Sequence, residues 1–189
     1  MLEKLAPEFR FASLTDIETE WLKEHQFEAL VLDIDNTLLA RDCTRIPADH
    51  IFWLQNLRRA GINLVLVSNN GGPRVAELQA QLKEHDVPLP ILTWAGKPLK
   101  PAFLRACALL NHSPSSMGGP APGILVVGDQ LFTDVLGAHC SGLPAAWTRP
   151  LPGRDFIFTR IVRVAERWIA GRLMQQGRMP EEIIQNTKK

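Results

Sequence analysis

The chain has little net charge, few cysteines and no long apolar run, and each shortage narrows what it can be. Formal charge is +1 over 189 residues, so no overall field draws the protein to a polyanion and no nucleic-acid partner is expected. The cysteines Cys43, Cys107 and Cys140 are odd in number and lack metal-ligand spacing. They fit a reducing cytosol better than a disulfide framework, and Cys43 reads as a passive loop residue. No apolar stretch approaches the roughly 20 residues a transmembrane helix needs, and the first residues lack the apolar core of a signal peptide. A soluble, cytoplasmic protein is expected, with a peripheral position on the inner face of a membrane left open. The five histidines show no ligand spacing and read as surface or capping residues.

What is present suffices for one core: 46% of residues are hydrophobic, enough for one full-sized domain and too little chain for two. Residues 1–175 are read as that domain, and 176–189 as a flexible tail. Strand and helix signals alternate, which predicts an α/β fold around a mostly parallel sheet. Apolar runs predict strands at 29–34, 62–67, 91–93, 124–127 and 145–147. Helices are predicted at 48–60, 73–84, 101–110, 133–140 and from near 155 to 174, with one more at 13–25 opened by the capping-box pattern Ser13-Leu14-Thr15-Asp16. Residues 111–123, rich in Ser, Pro and Gly, read as the most mobile loop.

Chemistry concentrates at the predicted strand ends. Asp33 and Asp35 close the first run in Leu32-Asp33-Ile34-Asp35-Asn36-Thr37, and Asp129 and Asp134 follow another in Gly128-Asp129-Gln130-Leu131-Phe132-Thr133-Asp134. Carboxylates at the end of a buried strand are costly unless a cation or a hydrogen-bond network compensates them. Ser68 and Lys97 fall at or just beyond two further strand ends, the edge at which open α/β sheets bind ligands. One aspartate of the first pair can attack while its neighbour handles protons. Asp129 adds charge for a hard cation, for which Mg²⁺ is the natural candidate. Ser68 offers a hydroxyl, the glycines after it let backbone amides approach an anion, and Lys97 brings a positive charge. Lys100 is the rival to Lys97 but does not precede a proline in the same pattern. Asp134 alone also fits a first-turn helix-dipole partner.

These motifs, in this order, resemble those of the haloacid dehalogenase-like (HAD) phosphatase superfamily. Asp33-Ile34-Asp35-Asn36-Thr37, Ala95-Gly96-Lys97-Pro98 and Gly128 to Gly137 are similar, more narrowly, to the YqeG branch of subclass IIIA, over residues 5–167. The resemblance implies a Rossmann-like three-layer sandwich and catalysis through an aspartyl phosphate. It implies Asp33 as nucleophile and Asp35 as general acid/base. Ser68, Asn69 and Lys97 would bind the phosphoryl group. Mg²⁺ would be held by Asp33, the backbone carbonyl of Asp35 and Asp129, with Asp134 close behind. The loop before Ile124 is longer and richer in Pro and Gly than is usual for the branch.

About 30 residues separate Thr37 from Ser68 and about 28 separate Ser68 from Lys97, each interval filled by one helix and one strand, so no cap domain is expected. An open site suits a phosphate on something large, such as a phospholipid headgroup or a protein. The resemblance favours phosphatidylglycerophosphate, with a soluble phosphosugar, a nucleotide or a phosphoprotein as the alternative. A non-catalytic phospho-ligand-binding module is the reading from another class. The last helix carries Arg154, Arg160, Arg163, Arg167 and Arg172 among apolar residues. Its arginines read as a solvated face paired with glutamates, Glu166 included, and Trp168 as packed core, with contact to an anionic membrane as the other reading.

Overall fold

The computed structural model describes residues 2–110, 123–153 and 157–185. Seven parallel strands form one sheet: β1 (Phe9–Phe11), β2 (Ala29–Asp33), β3 (Asn63–Val67), β4 (Ile91–Leu92), β5 (Ile124–Gly128), β6 (Ala145–Thr148) and β7 (Glu182–Ile183), in the order β4-β3-β2-β5-β6-β1-β7. The helices are α1 (Thr19–Glu24), α2 (Ala48–Arg59), α3 (Pro73–Glu84), α4 (Lys100–Leu109), α5 (Leu136–Cys140) and α6 (Ile157–Gln175).

Strand side chains alternate between two cores. Leu30, Leu32, Leu64, Leu66, Leu125 and Val127 face α1, α2 and α3. Ala29, Val31, Val65, Val67, Ile124 and Val126 face α4, α5 and α6. Both faces of the central strands are covered, which is why β2 and β5 read as unbroken apolar runs. Parallel pairing aligns the carboxyl ends of β2, β3, β4 and β5 along one edge. Residues 38–67 hold α2 and β3, and residues 69–96 hold α3 and β4, so no inserted domain overhangs that edge.

Three stretches differ from expectation. The helix predicted over 13–25 is broken: Ser13 does close a capping box with Asp16, but on a 3₁₀ turn, Leu14–Asp16. The break at Ile17 frees its carbonyl to accept from Trp53 Nε1 at 2.7 Å, a tertiary bond that local propensity cannot anticipate. Residues near 182, expected to fray, instead form β7 on the edge of β1, with Arg149 and Arg10 paired to Glu182. Trp168, expected in the core, is 61% exposed, with the Arg172 guanidinium 4.9 Å from its ring centroid; Ile169, Ala170 and Leu173 do the packing. Among the described residues no helix is long and apolar enough to cross a membrane. The loop expected to be mobile, apart from Gly123, lies outside them, as do Arg154 and the side chain of Arg160.

Candidate active site

Asp33 is the last residue of β2, and the chain turns at once. Leu38 N donates to Ile34 O at 3.0 Å and Asn36 N to Leu39 O at 2.9 Å. Asn36 sits at φ 62°, a left-handed conformation that asparagine tolerates better than most residues. The turn carries Asp35 away from Asp33. Asp35 accepts from Ser68 Oγ at 2.9 Å and from Asn70 Nδ2 at 2.8 Å, and forms an ion pair with Arg74 in the first turn of α3. The two aspartates therefore occupy separate hydrogen-bond environments.

On the other side Lys97 joins two carboxylates. Its ammonium pairs with Asp33 and, at 2.7 Å, with Asp134, and donates to Val67 O at 3.3 Å. Asn69 braces this lysine through its backbone, donating to Lys97 O at 2.9 Å and accepting from Lys97 N at 2.7 Å. Asp129 follows β5 directly. Its carbonyl accepts from Trp147 Nε1 at 2.8 Å, and its carboxylate accepts from Thr37 Oγ1 at 3.4 Å and pairs with Arg163 of α6 at 2.6 Å. Gly128 explains the close approach of Asp134: a Cβ at that position would collide with the Asp134 carboxylate. A turn of π-helix, Leu131–Val135, swings Asp134 back over the strand end, where it also accepts from Gln130 N at 3.1 Å.

Asp33, Asp129 and Asp134 are all buried, and one carboxylate oxygen from each lies within 4.8 Å of the others. Burial drives the Asp33 carboxyl well above the ordinary range; the Lys97 charge opposes this, while Asp134 and Asp129 add to it. Burial, then Asp134, raises Asp129 to about 6 against the opposing Arg163 charge. Lys97 is disfavoured as a cation by burial, but the charges of Asp134 and Asp33 outweigh that and raise it. Among the described residues, three carboxylates thus face two cations, Lys97 and Arg163, one positive charge fewer than the carboxylates could carry. A buried, all-oxygen, under-neutralised donor set fits a hard divalent cation. Asp35 differs: burial pushes it up, but the Asn70, Arg74 and Ser68 contacts win and hold it below the ordinary carboxylate range.

The structure brings Asp33, Asp129, Asp134 and Lys97 to one point and sets Asp35 and Ser68 beside it. The Asp35 carboxylate is turned away from the three-aspartate cluster. Asn69 supports Lys97 by contacts within the chain. Asn70 and Arg74 were not singled out from the sequence, although Asn70 directly follows the Ser68-Asn69 pair that was. The sequence pattern puts the arginines of the last helix, with Glu166, on a solvated face. Instead Arg163 reaches Asp129, and Glu166 is buried, accepting from Phe132 N at 3.0 Å. Their spacing of three residues puts them on one helix face, but only the tertiary fold shows what that face meets.

Residues 2–150 match the family model described as mitochondrial PGP phosphatase. "Probable phosphatase YqeG" of Bacillus subtilis (strain 168) is 31% identical over 183 residues, covering 96% of this chain and 99% of that protein. "Phosphatidylglycerophosphate phosphatase 1, chloroplastic" of Chlamydomonas reinhardtii is 28% identical over 170 residues, covering 87% of this chain but only 61% of that protein's length. A solved crystal structure shares the fold with a TM-score of 0.53 at 16% identity, covering 84% of this chain and 88% of the other.

Proposed function

We propose that this chain, which belongs to the mitochondrial PGP phosphatase family, removes the terminal phosphate of phosphatidylglycerophosphate through an aspartyl phosphate on Asp33. It is a phosphatase of the HAD type; the substrate, the metal and the residue roles are our reading. The observation that carries it is the convergence of Asp33, Asp129, Asp134 and Lys97 at one point, with Asp35 held separately alongside.

In the first step an Asp33 oxygen attacks phosphorus, an O–P bond forms, and the bond from phosphorus to the glycerol oxygen breaks. Asp35 gives its proton to that leaving oxygen. In the second step Asp35 takes a proton from a water that attacks the phosphorus of the aspartyl phosphate, freeing Asp33 and inorganic phosphate. In its present contacts Asp35 stands as a carboxylate, ready for the second step. Delivering the first proton requires it to loosen from Arg74. Lys97 would contribute positive charge to the phosphoryl oxygens and the Ser68 hydroxyl would donate to them. Mg²⁺, held by Asp33, Asp129 and the backbone carbonyl of Asp35 with Asp134 beside them, would supply the charge that offsets repulsion between a phosphate dianion and these carboxylates.

Two features support a lipid-borne phosphate. A relative's name specifies that substrate. The uncapped rim also carries exposed apolar side chains, Trp94 at 71% and Leu99 at 66%, on either side of Lys97. The test is phosphate release from phosphatidylglycerophosphate in mixed micelles. Release that disappears in Asp33→Asn and with chelator is expected. Brisk hydrolysis of a soluble sugar or nucleotide phosphate, with none of the lipid, would overturn the substrate assignment. Near-wild-type turnover by Asp33→Asn would overturn the nucleophile.

A further inference from the structure

The family match ends at residue 150, yet α6, which lies beyond it, reaches into the candidate site at two points. Arg163 Nη2 donates to Asp129 Oδ2 at 2.6 Å. Glu166, one turn on, accepts from Phe132 N at the start of the π-turn that carries Asp134. Below them Ile169, Ala170 and Leu173 fasten the helix to the core. The Asp129 side chain is fully buried and the Arg163 side chain is 16% exposed, so the guanidinium supplies charge compensation that water cannot.

A divalent cation arriving at Asp129 would supply the same compensation more strongly. Mg²⁺ demands its oxygen ligands at about 2.0–2.1 Å in near-octahedral order. A guanidinium hydrogen-bonded to a ligand carboxylate competes for its lone pairs and repels the incoming charge. Two cations contending for one buried carboxylate are linked: whatever favours one disfavours the other by the same factor.

We propose that Arg163 is the resident counter-ion of Asp129 and that the catalytic cation displaces it, so that metal loading loosens the hold of the C-terminal helix on the Asp129–Val135 segment. Arg163 is in this sense a positioning residue: it keeps Asp129 in place until metal arrives. The inference rests on the metal reading given above.

The test measures Mg²⁺ affinity by calorimetry and amide exchange of residues 162–175 with and without Mg²⁺, in wild type, Arg163→Met and Arg163→Lys. Arg163→Met should bind Mg²⁺ tighter by about 5-fold or more, the lower end of ordinary site-to-site coupling, and Arg163→Lys should fall between the two. Mg²⁺ should speed exchange across 162–175 in wild type and leave it unchanged in Arg163→Met. Mg²⁺ should also raise the melting temperature of Arg163→Met more than that of wild type, a readout that stands if the metal-free variant is weakly folded. Equal or weaker affinity in Arg163→Met overturns this inference alone. No Mg²⁺ binding by wild type overturns it together with the metal reading.

Discussion

At the scale of single residues, two carboxylates two positions apart acquire opposite characters. Asp33 lies among buried acids and is pushed up; Asp35 lies among donors and is held down. In the proposed mechanism Asp33 must be ionised to attack, so a cation beside it would have to offset this rise, and Asp35 must gain a proton to act as an acid. The motif spelled out both aspartates, but not the difference between them, because Asn70 and Arg74 come from the far side of β3. Arg74 is the adjustable partner, since its ion pair and hydrogen bond both lower Asp35. Arg74→Ala removes that lowering, so the Asp35 pKa rises. The limb of the kcat/KM profile that Asp35 governs should move to higher pH. Turnover at the optimum should fall by less than the roughly 10²–10⁴-fold that losing a general acid/base costs. A profile unchanged in position would mean that Asp35 does not govern either limb.

At the scale of elements, the long two-sided strands were legible because β2 and β5 are apolar throughout and end at the aspartates. β1 and β7, of three and two residues, carry no periodic signal at such length and exist through their neighbours. The 133–140 segment read as one helix, but its first turn is widened to a π-turn, an arrangement favoured at functional sites, so that Asp134 can return over Gly128. Glu166 of α6 supports that turn at a cost. Burial, then the charges of Asp129 and Asp134, raises its carboxyl to about 7, against the Phe132 amide and Arg163. Between the ordinary value near 4.5 and about 7 the folded protein therefore holds a proton that the unfolded chain has released. Stability from this group is present below that window and is lost as pH rises through it, by at most about 3 kcal/mol. Glu166→Gln keeps an acceptor for Phe132 N and removes the titration. Urea melts in chelator should show the variant matching wild type near pH 5 and exceeding it near pH 8. Parallel pH curves for the two proteins would refute this.

At the scale of the whole molecule, strand ends from four separate stretches of sequence become neighbours because every pairing is parallel and β2 sits between β3 and β5. The sequence named the edge; the sheet order, made by contacts far apart in the chain, it could not state. No inserted domain lies within residues 38–96, so the edge opens to whatever carries the phosphate. The rim there is apolar, with Trp94 and Leu99 exposed. Trp94 stands at φ 48°, a backbone conformation that costs a bulky residue on the order of 1 kcal/mol or more. Bonds from Trp94 N to Asn70 O and from Ala95 N to Ser68 O hold it there, and its indole packs so closely on Gly71 that no Cβ would fit. A costly backbone conformation that leaves an indole largely in water is unfavourable for folding alone and consistent with an apolar substrate body beside the phosphate. If acyl or glycerol carbons cover these side chains, each contributes about 1.5–3 kcal/mol, or roughly tenfold in affinity or more. Trp94→Ser with Leu99→Ser should therefore raise KM for the micellar lipid by at least about a hundredfold. Hydrolysis of a small aryl phosphate, which touches only the polar cluster, should stay within about twofold of wild type. An equal loss on both substrates would place the rim in support of the catalytic groups; no loss on either would remove it from substrate recognition.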